Sequence, residues 1–347
     1  LRCLDYRGHL AAGRASGVLR EQAGVAEDAR EQVVEVMRDA TGEQPDALEF
    51  LRLTHGLLGR LLVVNVGHRA EPAEDVSLPG IGEMEMKALA RAYPERIIET
   101  AYRKGDWSLR IDDTWYYWAE GRILPEEQRN AWIEYAPFRF YPYPKGLPPL
   151  RVLTNEEKQV LQERLHKAEK NPPRRNEAFL SHLFHASDQQ ETEANLVTVR
   201  FFGFSVRLHK IAAEPLLEVE KDLRSSLESD PEIQRFFSSL TQIGGYNWRP
   251  IAGTASRSYH SYGLALDFIP KSWEGKHSYW RDSQKWEEEW FSIPYEDRWM
   301  IPLAIVEAFE KHGFIWGGKW LYFDTMHFEY RPELFILQKE REGSTFR

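Results

Sequence analysis

Cysteine is almost missing from this chain. Cys3 is the single one in 347 residues, so no intramolecular disulfide forms and a disulfide-rich secreted scaffold is excluded, although export is not. No run of about 18 or more uncharged apolar residues occurs, which leaves no candidate membrane-spanning helix. The nearest stretch, "LLGRLLVVNV" at 57–66, is short, is broken by Arg60 and reads as a buried helix or strand. A basic excess is missing as well: Lys and Arg total 45 against 54 Asp and Glu, a net charge of −9. A nucleic-acid partner needs a basic face and is not expected. Nothing repeats at a fixed period, which excludes solenoids and propellers. The first residue is Leu1 rather than methionine, as expected of a processed or trimmed form that has lost an export signal.

What is present divides the chain by texture. Hydrophobic residues make up 42%, enough for a packed core. Residues 1–90 are rich in Ala, Arg, Glu and Gly, and 1–104 read as a mainly helical region. Val33, Val34 and Met37 recur at helical spacing within 26–40, and 83–103 continues as helix interrupted near Pro94. Residues 105–193 form an aromatic- and proline-rich connecting region with helices. "YAPFRFYPYPKGLPP" predicts a wrap packed against a neighbouring domain, with a stacking platform for sugar or peptide as the alternative. Asp112 and Asp113 are adjacent and read as a solvated turn rather than paired acids. Thr154 and Glu157 make a capping box for a helix that Pro172 ends. His182 and His185 stand at i, i+3 spacing with no third ligand nearby, which argues against a metal pair.

From residue 194 to 338 the pattern is that of a compact catalytic domain, followed by a polar tail at 339–347. "LVTVRFFGFSVRLH" (196–209) predicts two strands joined tightly at Gly203, and 212–229 and 299–314 predict amphipathic helices. Strands with segregated helices define an α+β class. Within this region "SYHSYGLALDF" sets His260 and Asp267 seven positions apart, with Gly263 and Ala265 between them. "GLALDFI" is strand-like and apolar, so Asp267 needs a partner or a metal ion to be buried there. A catalytic zinc site uses three protein ligands and leaves a position for water. The third ligand stands in "LYFDTMHFEY" (321–330): His327, with Asp324 three residues earlier as a carboxylate able to take a proton from that water. Glu329 shares a strand face with His327 and is placed to orient it. Arg249 is placed to bind a substrate carboxylate or an oxyanion, and Ser258 to contact substrate or steady the loop. The insertion at 271–298 holds four of the 12 tryptophans. It reads either as a flap over the cleft or as a packed surface insertion, with His277 not expected to be a ligand.

Taken together, "SYHSYGLALDF" and "WGGKWLYFDTMHFEY" resemble the zinc D-alanyl-D-alanine carboxypeptidase family, whose relatives include the vancomycin-resistance D,D-peptidases and phage L-alanyl-D-glutamate endopeptidases. Ser258, His260, Gly263, Ala265 and Asp267 match its first motif, and Asp324 and His327 its second. "YNWRPIAGT" and "WGGKW" also match its carboxypeptidase-like branch. The resemblance covers roughly residues 195–335. It implies a Hedgehog/DD-peptidase-like fold at the C-terminus and one Zn2+ held by His260, Asp267 and His327. It further implies Asp324 as base, Arg249 on the substrate, and peptidoglycan stem peptides as substrate in the bacterial cell envelope. A D,D-carboxypeptidase is the leading reading. An L-alanyl-D-glutamate-type endopeptidase and a non-catalytic zinc-containing cell-wall binding module are the alternatives. Lys319 departs from the pattern, because relatives commonly carry an Asp after "WGG"; at the cleft edge that change would alter substrate choice.

Overall fold

The fold is taken from a computed structural model that describes residues 82–344 except 173, 228, 229 and 252. The expected helix at 26–40 and the apolar stretch at 57–66 lie outside the described residues.

Helix α1 (Glu83–Ala92) leads into an antiparallel meander of β1 (Ile97–Arg103), β2 (Asp106–Ile111), β3 (Thr114–Tyr117) and β4 (Leu124–Pro125), paired in that order. Strand β1 replaces the second half of the helix expected over 83–103. The reason is local. "IIETAYR" is rich in β-branched and aromatic residues, and Arg103 pairs with Asp106 across a two-residue turn. Lys104 and Gly105 both take positive φ (52° and 75°), the signature of the tight hairpin turn whose twist suits antiparallel strands. The composition change at residue 105 therefore falls inside a hairpin, not at a seam between folded units. From Gly82 onward the chain forms one compact unit.

An irregular stretch after β4 then wraps the C-terminal half, as the proline and aromatic content predicts. Trp320 donates from Nε1 to the Tyr141 hydroxyl (2.8 Å), and the Trp316 backbone N–H donates to the Tyr143 hydroxyl (2.9 Å). The Tyr143 hydroxyl donates in turn to Glu310 Oε1 (2.6 Å). Helix α2 (Asn155–Lys170) begins at the expected capping box, with Thr154 and Glu157 bonding reciprocally. Two short helices follow, α3 (Ala178–Leu183) and α4 (Gln189–Ala194).

The C-terminal half is mixed helix and sheet, as the α+β reading requires. The hairpin β5 (Leu196–Phe201) and β6 (Phe204–His209) turns at Phe202–Gly203. It leads to α5 (Lys210–Ser226), α6 (Pro231–Ser239) and β7 (Leu240–Gly244). A four-stranded antiparallel sheet runs in the order β7, β8 (Ala265–Pro270), β10 (His327–Tyr330), β9 (Phe314–Trp316). One face of it is apolar: Leu266, Phe268 and Phe328 are fully buried, and Phe309 of helix α8 (Leu303–Lys311) stacks on Phe328 with ring centroids 4.3 Å apart. Because side chains alternate along a strand, Asp267, His327 and Glu329 are left on the other face.

The 271–298 insertion is packed rather than free. It contains the one-turn helix α7 (Trp280–Ser283), and Trp290, Phe291 and Ile293 form a small core with Leu153, Leu161 and Phe323. The polar tail expected at 339–347 is instead, as far as Ser344, the end of helix α9 (Pro332–Ser344). Its charges face α1, where Arg341 pairs with Glu85 at 3.0 Å and Arg91 with Glu340. No helix among the described residues is long and apolar enough to cross a membrane.

Lys319 does not edge a cleft. It is buried, with Nζ 2.6 Å from Glu310 Oε1, 2.9 Å from the Pro144 carbonyl and 4.8 Å from the centre of the Tyr143 ring. It holds the aromatic wrap in place and belongs to the scaffold. Lys319→Met leaves Glu310 without its cation. The expected cost is about 3 kcal/mol, read from the urea unfolding midpoint. A loss within about 0.5 kcal/mol, the range of ordinary surface changes, would contradict this placement.

Candidate metal centre

Register brings the site together. In the β8–β10 pair His327 stands directly opposite Asp267, and in the β7–β8 pair Gly244 stands on Asp267's other side. Directly opposed side chains begin about 5 Å apart, which sets imidazole against carboxylate. His260 arrives from a short 3-10 turn, Tyr259–Tyr262, just before β8. That turn ends at Gly263 with φ 68°, where a Cβ would meet the His209 backbone nitrogen at 2.6 Å. Only glycine fits there, which explains the small residue between the two ligands. Ala265 pairs with Glu329 across the strands, and its short side chain sits opposite the longer carboxylate.

The resulting geometry is tight. Asp267 Oδ2 lies 3.0 Å from His260 Nε2, and Asp267 Oδ1 lies 2.9 Å from His327 Nδ1. One ligand atom from each of the three residues falls within a 4.8 Å span. The outer partners fix which nitrogen faces inward. His260 Nδ1 is 2.7 Å from the Gly245 carbonyl, so it carries the proton and leaves Nε2 as the inward lone pair. His327 Nε2 is 3.2 Å from Glu329 Oε1, so Nδ1 faces Asp267. Glu329 is thus the orienting partner that its strand position predicts. The Gly245 carbonyl has no sequence signal, since every residue carries one.

Electrostatics point the same way. Burial pushes the Asp267 carboxyl up, but the close approach of His260 and the hydrogen bond with His327 overcome it and hold the group well below the usual carboxylate range. Burial opposes charge on His327, yet Asp267, Glu329 and Asp324 hold its imidazole well above the ordinary histidine range. Asp324 behaves differently. Burial raises its carboxyl to about 7; Asp267 and Glu329 push the same way, against His327 and Arg249. Three carboxylates enclosing one imidazole favour positive charge at their centre.

The donor set fits a divalent cation on an observation independent of that charge. His260 Nε2 is buried and, although 3.0 Å from Asp267, lacks the alignment of a hydrogen bond; Asp324 Oδ1 is likewise buried without a partner. Buried polar atoms are nearly always satisfied. Two such orphans, one in the cluster and one on a residue whose carbonyl accepts from the His327 backbone N–H, are what a metal ion and its attendant water would satisfy. Two imidazoles and a carboxylate are ligands that zinc accepts.

The remaining predicted residues are placed as follows. Asp324 sits in the loop before β10, its backbone bridged to Tyr279. Arg249 is exposed, and its charge reaches both Asp324 and the Tyr279 hydroxyl. Ser258 is buried and its Oγ accepts from the His260 backbone N–H (3.3 Å). It caps the turn that carries His260, as the steadying one of its two expected roles requires. His277 bonds Ser283 (3.0 Å) and is no part of the cluster. His182 bonds Asp112 and Tyr116, while His185 lies past the end of α3, so the two do not converge.

The metal face is buttressed from the N-terminal side. Arg331 lies 3.8 Å from Glu329 Oε2, pairs with Glu333 and donates to the Arg139 carbonyl (2.8 Å). The Tyr93 hydroxyl donates to Glu333 (2.9 Å). A run of buried polar contacts thus joins α1 to the partner of His327.

Comparison with known families agrees with the motif reading. Residues 252–330 match a family model described as D-alanyl-D-alanine carboxypeptidase, and residues 85–140 match one described as a domain of unknown function. No curated protein and no solved structure matches the chain. The first match covers well under half of the chain but contains His260, Asp267, Asp324, His327 and Glu329, and stops short of Arg249. The C-terminal half therefore carries a peptidase-family domain with a His–Asp–His group able to hold a metal ion.

Titration of the metal-stripped chain with zinc is expected to saturate at one ion. Glu329→Gln should keep that stoichiometry and weaken affinity about 10- to 100-fold, the usual cost of losing an orienting partner. Failure to take up zinc, or a Glu329→Gln affinity equal to wild type, would refute the arrangement.

Proposed function

We infer that the protein is a zinc metallopeptidase that hydrolyses bacterial peptidoglycan stem peptides, most specifically as a D-alanyl-D-alanine carboxypeptidase of the cell envelope with a Hedgehog/DD-peptidase-like domain. The observation that carries this is the convergence of His260, Asp267 and His327 within 4.8 Å beside the buried, unpartnered Asp324 Oδ1. Asp324 also favours an enzyme over a binding module, which needs the metal ligands but no base.

Zinc, when bound by the three ligands, polarises the scissile carbonyl and lowers the pKa of water. The protein supplies the rest. Asp324, in a pocket that disfavours its charge, accepts the proton of the attacking water as the oxygen bonds to the carbonyl carbon. The same carboxyl then protonates the amine as the C–N bond breaks, leaving one new carboxylate and one free amine. Glu329 holds the His327 ring so that Nδ1 stays inward, and the Gly245 carbonyl does the same for His260 Nε2. Arg249 offers positive charge on the Asp324 side of the site, where an oxyanion or a substrate carboxylate needs it.

Asp324→Asn separates these roles. Zinc content is expected to stay at one ion per chain while kcat/KM on a pentapeptide stem falls about 10²- to 10⁴-fold, measured by mass spectrometry of the released D-alanine. Hydrolysis within a few-fold of wild type would show that Asp324 is not the base.

A further inference from the structure

One half-buried guanidinium beside the site has a buried N–H without a partner among the described residues. Arg281 lies in the 271–298 insertion, two residues after Tyr279, whose backbone bridges to Asp324. Its Nε is buried and has no hydrogen-bond partner. The neighbouring carboxylate of Asp282 is taken by Lys285 at 2.6 Å. The Arg281 fork lies against the loop that leads to His260. A Cβ built on Gly253, whose φ of +77° itself favours glycine, would stand 3.0 Å from Nη1, which places the fork directly against this loop. Trp280 supports the fork from its own side, 5.3 Å from ring centre to guanidinium carbon. That loop folds back on itself, with Pro250 bridged to Arg257, and Arg249 stands at its base. Arg249 too has no carboxylate partner among the described residues. Both cations act on the Tyr279 hydroxyl, which is also within reach of the Asp324 charge.

Burying a guanidinium N–H without an acceptor forfeits its hydration for no return. Holding a second cation on the same side adds repulsion. An anion supplied from outside removes both costs, and a planar fork suits a carboxylate. The proposed chemistry says which carboxylate. The leaving amine, which Asp324 must protonate, belongs in a carboxypeptidase to the residue that bears the free C-terminal carboxylate. That carboxylate therefore has to lie on the Asp324 side, next to Tyr279, whose backbone bridges to Asp324 and whose hydroxyl both guanidiniums act on. We propose that Arg281, together with Arg249, forms the subsite for the free C-terminal carboxylate of the substrate, so that the insertion selects carboxypeptidase over endopeptidase cleavage. The proposal rests on the peptidase reading above and specifies its substrate end.

The test uses the full zinc-loaded chain and two probes: N-acetyl-L-lysyl-D-alanyl-D-alanine and the same peptide with a C-terminal amide. Equilibrium binding is measured calorimetrically in the slow Asp324→Asn background, and turnover in wild type. The acid is expected to bind about 10- to 100-fold tighter than the amide, the range for hydrogen bonds to charged groups. Adding Arg281→Gln should remove most of the acid's advantage, leaving the part that Arg249 supplies and leaving amide binding unchanged, and Arg281→Lys should restore part of the preference. Equal binding of acid and amide before the substitution overturns the subsite. So does equal weakening of both by Arg281→Gln, which marks a structural role, or an acid preference that the substitution leaves undiminished. If the preference is present and Arg281-dependent but wild type hydrolyses neither peptide, the subsite stands and the peptidase reading falls. If wild type hydrolyses both alike, the peptidase reading stands and the subsite falls.

Discussion

A carboxylate held between two imidazoles is the constraint to which the rest of this domain answers. Asp267 is largely enclosed, its side chain 23% exposed, and a carboxylate so desolvated is tolerated only when paired or bound to a cation. Each oxygen has one histidine nitrogen beside it, at 3.0 and 2.9 Å, the second as a hydrogen bond. Meeting that demand fixes the β8–β10 register, because a slip of one residue would send His327 into the apolar face and Phe328 toward Asp267. It also fixes the preceding turn, where Gly263 lets the chain pass the His209 backbone and deliver His260 from outside the sheet. The apolar side of the same strands, with Phe268, Phe328 and Phe309 in ring contact, holds the frame on which the polar side is built.

The N-terminal segments gain a physical role in this light. The aromatic wrap satisfies the Trp316 backbone and the Trp320 ring on either side of "GGK", and Lys319 ties the wrap to Glu310 from within. The Tyr93–Glu333–Arg331–Glu329 contacts run from the first described helix to the carboxylate that orients His327. Charged groups buried in this manner are strongly interdependent, since removing one leaves its partner uncompensated. The region matching a domain of unknown function and the peptidase-family domain are therefore linked through one polar network, and the scaffold around the metal extends well beyond the matched motifs.

Much of the site was legible in the sequence, and the reason is chemical. His260, Asp267 and His327 are groups that cost free energy in apolar strands unless they converge, so their positions within "GLALDF" and "MHFEY" announce a shared partner. Glu329 followed from strand alternation alone. The helix starting at Thr154 and the hairpin at Gly203 were legible because capping and turn chemistry are local. The failures have equally definite causes. Strand β1 was hidden behind the helix before it, since Pro94 reads as an interruption and Lys104–Gly105 is an unobtrusive turn. The last helix was masked by its polarity, because its pairing with α1 is tertiary. Lys319 looked like a cleft residue from its position after "WGG", yet its Nζ turns inward to Glu310. Ser258 carries a hydroxyl that the backbone of His260 already uses. Arg281 gave no signal at all: an arginine in a tryptophan-rich insertion reads as solvated until the fold sets it against Gly253.

The central claim concerns the coordination of one ion by three side chains, and X-ray absorption at the zinc edge reads that directly. The account predicts a first shell of nitrogen and oxygen at about 2.0–2.2 Å, with the outer-shell scattering of two imidazoles and an open position filled by water. That signature should disappear in His327→Ala. A shell containing sulfur, a single imidazole, or an unchanged spectrum in His327→Ala would contradict it.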